Sequence, residues 1–113
     1  MAYNNRGLAY DNLGNYNQAI KDYNKVIDLN PKYAMAYNNR GGAYYSLSNY
    51  NQAIKDYDKA IDLNPELAKA YYNRGNVYDS LGNDNQAIAD LKIAARFGYK
   101  NAQNVLRGKG ISW

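Results

Sequence analysis

The chain has no cysteine and no histidine. No disulfide and no thiolate metal site can form, and the commonest general base and metal ligand is missing. Proline occurs twice, and tryptophan and phenylalanine once each. No apolar run approaches the roughly 20 residues that a membrane helix needs, and no signal peptide is visible at Met1. There is no phosphate-binding glycine loop and no metal-ligand spacing. Asp56, Asp58 and Asp62 read as solvated helix faces rather than as an acid–base set. These absences argue against an enzyme, a cofactor and a small-molecule substrate.

What is abundant is tyrosine, with 14 residues, and a modest excess of positive charge, +4. That charge is uneven. Residues 1–90 sum to −1, while residues 91–113 carry Lys92, Arg96, Lys100, Arg107 and Lys109 and no acid, a balance of +5. The basic tail could favour acidic partners or nucleic acid, or could simply be a solvated end.

The stretch Asn15–Tyr23, NYNQAIKDY, returns unchanged at Asn49–Tyr57, 34 residues later. A looser copy, NDNQAIADL, starts at Asn83, again 34 residues on. Asn-Arg-Gly recurs at Asn5–Gly7, Asn39–Gly41 and Asn73–Gly75, and Asp-Leu-Asn-Pro at Asp28–Pro31 and Asp62–Pro65. A fixed period of this size marks a repeat architecture, in which each unit buries its apolar face on the next. At 113 residues the chain should form one domain, divided at about 1–33, 34–67 and 68–101, with a cap and tail at about 100–113. It opens almost inside a repeat, as a piece cut from a longer protein would. The lack of a signal then says little about compartment, and cytoplasm is only the default.

The order Tyr37, Gly41, Tyr44, Tyr50, Ala53, Tyr57, Ala60, Pro65 resembles the tetratricopeptide repeat (TPR), a helix–turn–helix unit of the same period. The resemblance covers about residues 2–101. It implies an all-α fold, a right-handed superhelix (α-solenoid) of three antiparallel helix hairpins plus a short seventh helix. The expected helices are near Ala2–Leu13, Tyr16–Leu29, Lys32–Leu47, Tyr50–Leu63, Glu66–Leu81 and Asp84–Phe97. Ala102, Val105 and Leu106, at i, i+3 and i+4, predict a capping helix over Asn101–Arg107. Ile111–Trp113 either fray or dock back on the last repeat.

Local chemistry supports these boundaries. Gly14 suits the left-handed residue after a helix end. Asn15 with Gln18, Asn49 with Gln52 and Asn83 with Gln86 have capping-box spacing. Asn30 and Pro31 should open the next helix as N-cap and first helical residue. Gly7 with Ala19, Gly41 with Ala53 and Gly75 with Ala87 should let paired helices approach closely, with tyrosines filling the space around them. Arg6, Arg40 and Arg74 need partners if they lie near a core, and Asp22, Asp56 and Asp90 keep the same period.

The resemblance also implies a binding role. In such arrays the first helix of each hairpin lines a concave groove that takes a peptide or protein segment. The residues expected there include Asn5, Leu8 and Asn12, then Met35, Asn38, Asn39, Gly42 and Tyr45, then Lys69, Tyr72, Asn73 and Asn76. Asn5, Asn39 and Asn73 are in register. An Asn side chain both donates and accepts, so this series either grips a peptide backbone or bonds neighbouring helices. The two-carboxylate clamp of some TPR domains, which holds chaperone tails, is not expected. Asn39 and Lys69 fit it, but Asn4, Leu8 and Asn73 stand where Lys, Asn and Arg are wanted. Homo-oligomers through exposed repeat ends are the alternative to peptide binding. RNA binding is disfavoured, because the first helices offer little cationic character beyond Lys69.

Overall fold

The structure, a computed structural model, describes residues 2–113. Its described residues form seven helices and no strand: α1 (Ala2–Asn12), α2 (Tyr16–Leu29), α3 (Ala34–Ser46), α4 (Tyr50–Leu63), α5 (Ala68–Ser80), α6 (Asp84–Arg96) and α7 (Lys100–Gly108). They fall into two compact units, Met1–Pro65 with α1–α4 and Glu66–Trp113 with α5–α7. Among the described residues no helix is long and apolar enough to cross a membrane.

Helices of this length are marginal alone and are held by packing. In the first unit α1 pairs with α2 and α3 with α4, while α3 also packs on α2. The second helices supply most of the core, through Ala19, Tyr23 and Val26 on α2 and Ala53, Tyr57 and Ala60 on α4. In the second unit α6 packs on both α5 and α7, and Leu91, Ala94, Ala95, Ala102 and Leu106 form its core.

The turn after each first helix is closed by the backbone. Asn15 N–H donates to Tyr10 O at 2.8 Å and Gly14 N–H to Asp11 O at 2.9 Å, the paired bonds of a Schellman motif. The same pair closes α3, α5, α6 and α7. Gly14 has φ +77°, as expected, but the α3 turn uses Ser48 at φ +61°, where a Cβ is unfavourable. At the end of α7 this bonding folds the tail back: Ile111 N–H donates to Leu106 O at 2.9 Å, and Ile111 packs on the core. Arg96 Nε donates to Trp113 O at 3.0 Å, and the Arg107 guanidinium lies 5.6 Å from the indole centre. The tail therefore docks.

Three local expectations are corrected. Asn15, Asn49 and Asn83 precede helices as expected but make no side-chain cap bond. Their N–H groups already serve the preceding helix end, so the return half of a capping box has no donor left. Pro31 and Pro65 do not open helices, since α3 and α5 begin at Ala34 and Ala68. Pro31 instead follows Asn30 in a turn closed by Tyr33 N–H to Asn30 O at 3.1 Å, where its fixed φ suits the second position. The small-to-small approach holds only at Gly75, where a Cβ would come 3.2 Å from the Ala87 carbonyl oxygen. At Gly7 and Gly41 the neighbour is a ring: a Cβ would come 2.6 Å from Tyr23 Cε1 and 2.8 Å from Tyr57 Cε1.

Candidate functional site

The arginines settle first. Arg6 makes two bonds to Asp22 at 2.7 and 2.8 Å, Arg40 two to Asp56 at 2.7 and 2.9 Å, and Arg74 two to Asp90 at 2.8 and 2.9 Å. Each is a planar fork on a carboxylate within one hairpin. The sequence period exposed these pairs. It did not suggest that each guanidinium also lies over the ring of the tyrosine three residues earlier, at 5.4 Å for Tyr3, 5.5 Å for Tyr37 and 5.6 Å for Tyr71. The i, i+3 spacing on one helix was the available signal. The Arg6 fork holds the Asp22 carboxyl below its ordinary range despite burial, and the Asp22 bonds push Arg6 up. Arg40 is likewise raised, first by its bond to Asp56.

A second polar tie crosses the first hairpin. The Tyr23 hydroxyl donates to Asp11 Oδ2 at 2.5 Å. Burial pushes the Asp11 carboxyl up, and the tyrosine bond partly opposes that shift. Burial, then the Asp11 bond, pushes the Tyr23 phenol up. Tyr57 is raised by burial first and then by the charge of Asp56. These groups hold the hairpins together; none is arranged as an acid–base pair around an opening. Among the described residues no cluster of carboxylates suits a metal ion.

The residues expected at a binding surface divide by burial. Asn5, Leu8 and Asn12 on α1 and Lys69 on α5 are exposed. Met35, Asn39, Gly42 and Tyr45 on α3, and Tyr72, Asn73 and Asn76 on α5, are half-buried. Asn38 is the correction: at 3% exposure its side chain belongs to the interior. Asn39 Nδ2 donates to Asn4 Oδ1 at 3.1 Å, joining α3 to α1. Of the two roles open to the recurring asparagines, Asn39 thus takes at least the interhelical one. The Tyr45 ring tilts against Tyr50 at 5.6 Å, and the Tyr72 ring against Tyr99 at 5.0 Å. Asn76 lines a cleft of about 180 Å3 with Asp79, Ile88 and Leu91 in the second unit.

Family models described as tetratricopeptide repeat match residues 1–33 and 22–55, and one described as TPR repeat matches residues 41–82. The first TPR of Spaghetti (RPAP3), solved with the HSP90 peptide SRMEEVD, is 30% identical, with 95% of this chain and 86% of that one covered and a TM-score of 0.88. The chain belongs to the tetratricopeptide repeat family. The Arabidopsis OM64 TPR domain is also 30% identical, over 96% of this chain and 93% of that one, with a TM-score of 0.85. The second TPR domain of human RPAP3, solved with the HSP70 peptide SGPTIEEVD, is 29% identical over 97% and 93%, with a TM-score of 0.84. No curated protein matches the chain significantly in sequence.

The TPR fold accounts for the division of labour seen here. Second helices carry the buried aspartates and the two most deeply buried tyrosines, Tyr23 and Tyr57, and first helices carry most of the exposed and half-buried polar positions beside the buried Asn4, Tyr37 and Asn38.

Proposed function

We propose that this TPR chain is a protein-interaction module that binds a peptide or protein segment on the surface of its first helices. In the first unit that surface is α1 with α3, through Asn5, Leu8, Asn12, Met35, Asn39, Gly42 and Tyr45. In the second it is α5, through Lys69, Tyr72, Asn73 and Asn76. The observation that carries the reading is the likeness, over 95% of the chain, to a TPR domain solved with a bound peptide. Two features of this chain support it. The three forked arginines are tied to aspartates, so the first helices offer amides, aromatic edges and Leu8 rather than free guanidinium forks. Leu8 is a large apolar side chain 39% exposed, and a partner that covered it would gain by removing that apolar area from water.

The ligand differs from a chaperone tail. Asn4, where the clamp wants a lysine, is 8% exposed and accepts from Asn39. Leu8 offers a carboxylate nothing. The segment bound is therefore an internal or neutral one rather than a C-terminal pair of carboxylates.

A peptide array probed with the purified chain, alongside fluorescence anisotropy with labelled SRMEEVD, tests this. Array peptides should bind, and Leu8→Asp should weaken them by about tenfold or more at unchanged helicity. SRMEEVD should bind no better than a scrambled control. Peptide binding that ignores Leu8→Asp but is lost in Lys21→Glu, on a second helix, would move the site elsewhere and refute the proposal.

A further inference from the structure

Residues 11 and 79 stand two periods apart, and so do residues 23 and 91. In the first repeat they are Asp11 and Tyr23, joined by the hydroxyl bond at 2.5 Å. In the third, aspartate returns as Asp79, but position 91 is Leu91. Position 84 changes too, to an aspartate where the earlier repeats have Tyr16 and Tyr50. Two rings are thus missing from one neighbourhood of the second unit, and the carboxylate that would accept a phenol remains. Asp79 is exposed. Gly75 keeps the place of Gly7 and Gly41, but where those glycines face a ring, a Cβ at Gly75 would meet the Ala87 carbonyl oxygen at 3.2 Å and Leu91 Cγ only at 3.5 Å.

The lost volume survives as the cleft of about 180 Å3 between α5, α6 and α7. Its apolar lining includes Ile88, Leu91 and Val105, and its charged lining is Asp79, Asp84 and Lys109. Two carboxylates against one ammonium leave it net acidic. The middle repeat differs, with Tyr45 in place of an aspartate and the Tyr57 ring present, so the arrangement is confined to the third.

We infer that this cleft receives a tyrosine side chain from a bound peptide, its ring over Ile88, Leu91 and Val105 and its hydroxyl donating to Asp79. The partner supplies in trans the ring that the first repeat holds in its own core. This rests on the reading of the chain as a peptide-binding module and names one side chain that it selects. The acidic lining follows the same logic: it accepts a phenol and repels a phosphorylated one, so phosphorylation of the partner tyrosine would release it.

The test uses p-cresol as a tyrosine surrogate, with methyl NMR of the intact chain as readout. p-Cresol should shift Ile88, Leu91 and Val105 saturably. Toluene, lacking the hydroxyl, should bind about tenfold more weakly, and p-tolyl phosphate should give no shift. Leu91→Tyr, which restores the residue of the earlier repeats, should fill the cleft and abolish the p-cresol shifts. Toluene binding equal to p-cresol, tighter binding of n-butylammonium, or no saturable shift in the native chain would overturn the inference. So would a concentration-dependent dimer that p-cresol disperses, since a second copy would then be the occupant. The two readings separate cleanly. Array hits that bind through Leu8 without any tyrosine preference would leave the module and remove the tyrosine pocket. The expected p-cresol pattern with a blank array would remove the module, and the bound peptide with it, and leave only a cleft that takes a phenol.

Discussion

Replacing Gly41 by alanine sets two known effects against each other. Alanine is the better helix former by about 1 kcal/mol in a helix interior, and Gly41 lies inside α3. Against this, the new methyl carbon would stand 2.8, 3.1 and 3.1 Å from Cε1, Cδ1 and Cζ of Tyr57. That ring is 2% exposed, so it cannot swing into solvent. Forcing one extra carbon into a packed core costs about 1–3 kcal/mol. The contact is made with three atoms of a confined ring rather than with the end of a flexible chain, which places the cost in the upper part of that range. Gly41→Ala should therefore lower stability by about 1 kcal/mol net. Gly108→Ala is the control. It sits at the end of α7, where nothing lies within 4 Å of the added carbon, so only the propensity gain remains, about 0.5 kcal/mol at a helix end. Urea unfolding followed by circular dichroism should give midpoints that move in opposite directions for the same chemical change. Stabilisation by Gly41→Ala comparable to that of Gly108→Ala would show that the ring does not limit the approach of α3 to α4.

The turn after α3 offers a gain. Ser48→Gly removes a Cβ from a left-handed residue at φ +61° and should stabilise by about 1 kcal/mol, read as a higher urea midpoint. Asp56→Ala strips the fork from an arginine whose side chain is only 21% exposed and should cost about 2–4 kcal/mol. Asp22→Ala should cost less, because Arg6 is 55% exposed and water takes over its donors; the reverse order in chemical unfolding would contradict the burial argument. Asp22 also sets a pH response. Its folded pKa is depressed, so its contribution is complete above the ordinary carboxylate range and is lost below about pH 4. Asp11 is raised and works in the opposite sense, favouring the fold as pH falls through its titration. Asp22→Asn should flatten the acid side of a stability–pH curve, while Asp11→Asn should steepen it.

The hairpins and the arginine–aspartate forks were legible because each signal occurs three times at one spacing. A single Arg6 and Asp22, 16 residues apart, would have meant little. Seeing the same offset at Arg40–Asp56 and Arg74–Asp90 turned coincidence into geometry. What stayed hidden depends on competition for one group or on orientation across a hairpin. Asn15 has the right side chain for a cap, but its N–H is committed upstream, and no local pattern reveals that commitment. Gly41 and Ala53 look like contact partners in the sequence, because small residues on facing helices suggest close approach. Only the direction of the Tyr57 ring shows which neighbour the glycine meets. Asn38 and Asn39 are adjacent and chemically identical, yet one is buried and the other reaches Asn4. The departures at Asp84 and Leu91 were visible as letters. Their meaning needed the Tyr23–Asp11 bond, which shows what the third repeat gave up.

The turns that join first to second helices are tied entirely by main-chain groups, at Gly14–Asn15 and Ser48–Asn49 alike. Their asparagine side chains make no cap bond, and the chain has no cysteine of its own. A thiol placed at Asn15 or Asn49 would thus be a unique attachment point for a dye, a spin label or a solid support. The tether would hang from a knot that its side chain never helped to tie.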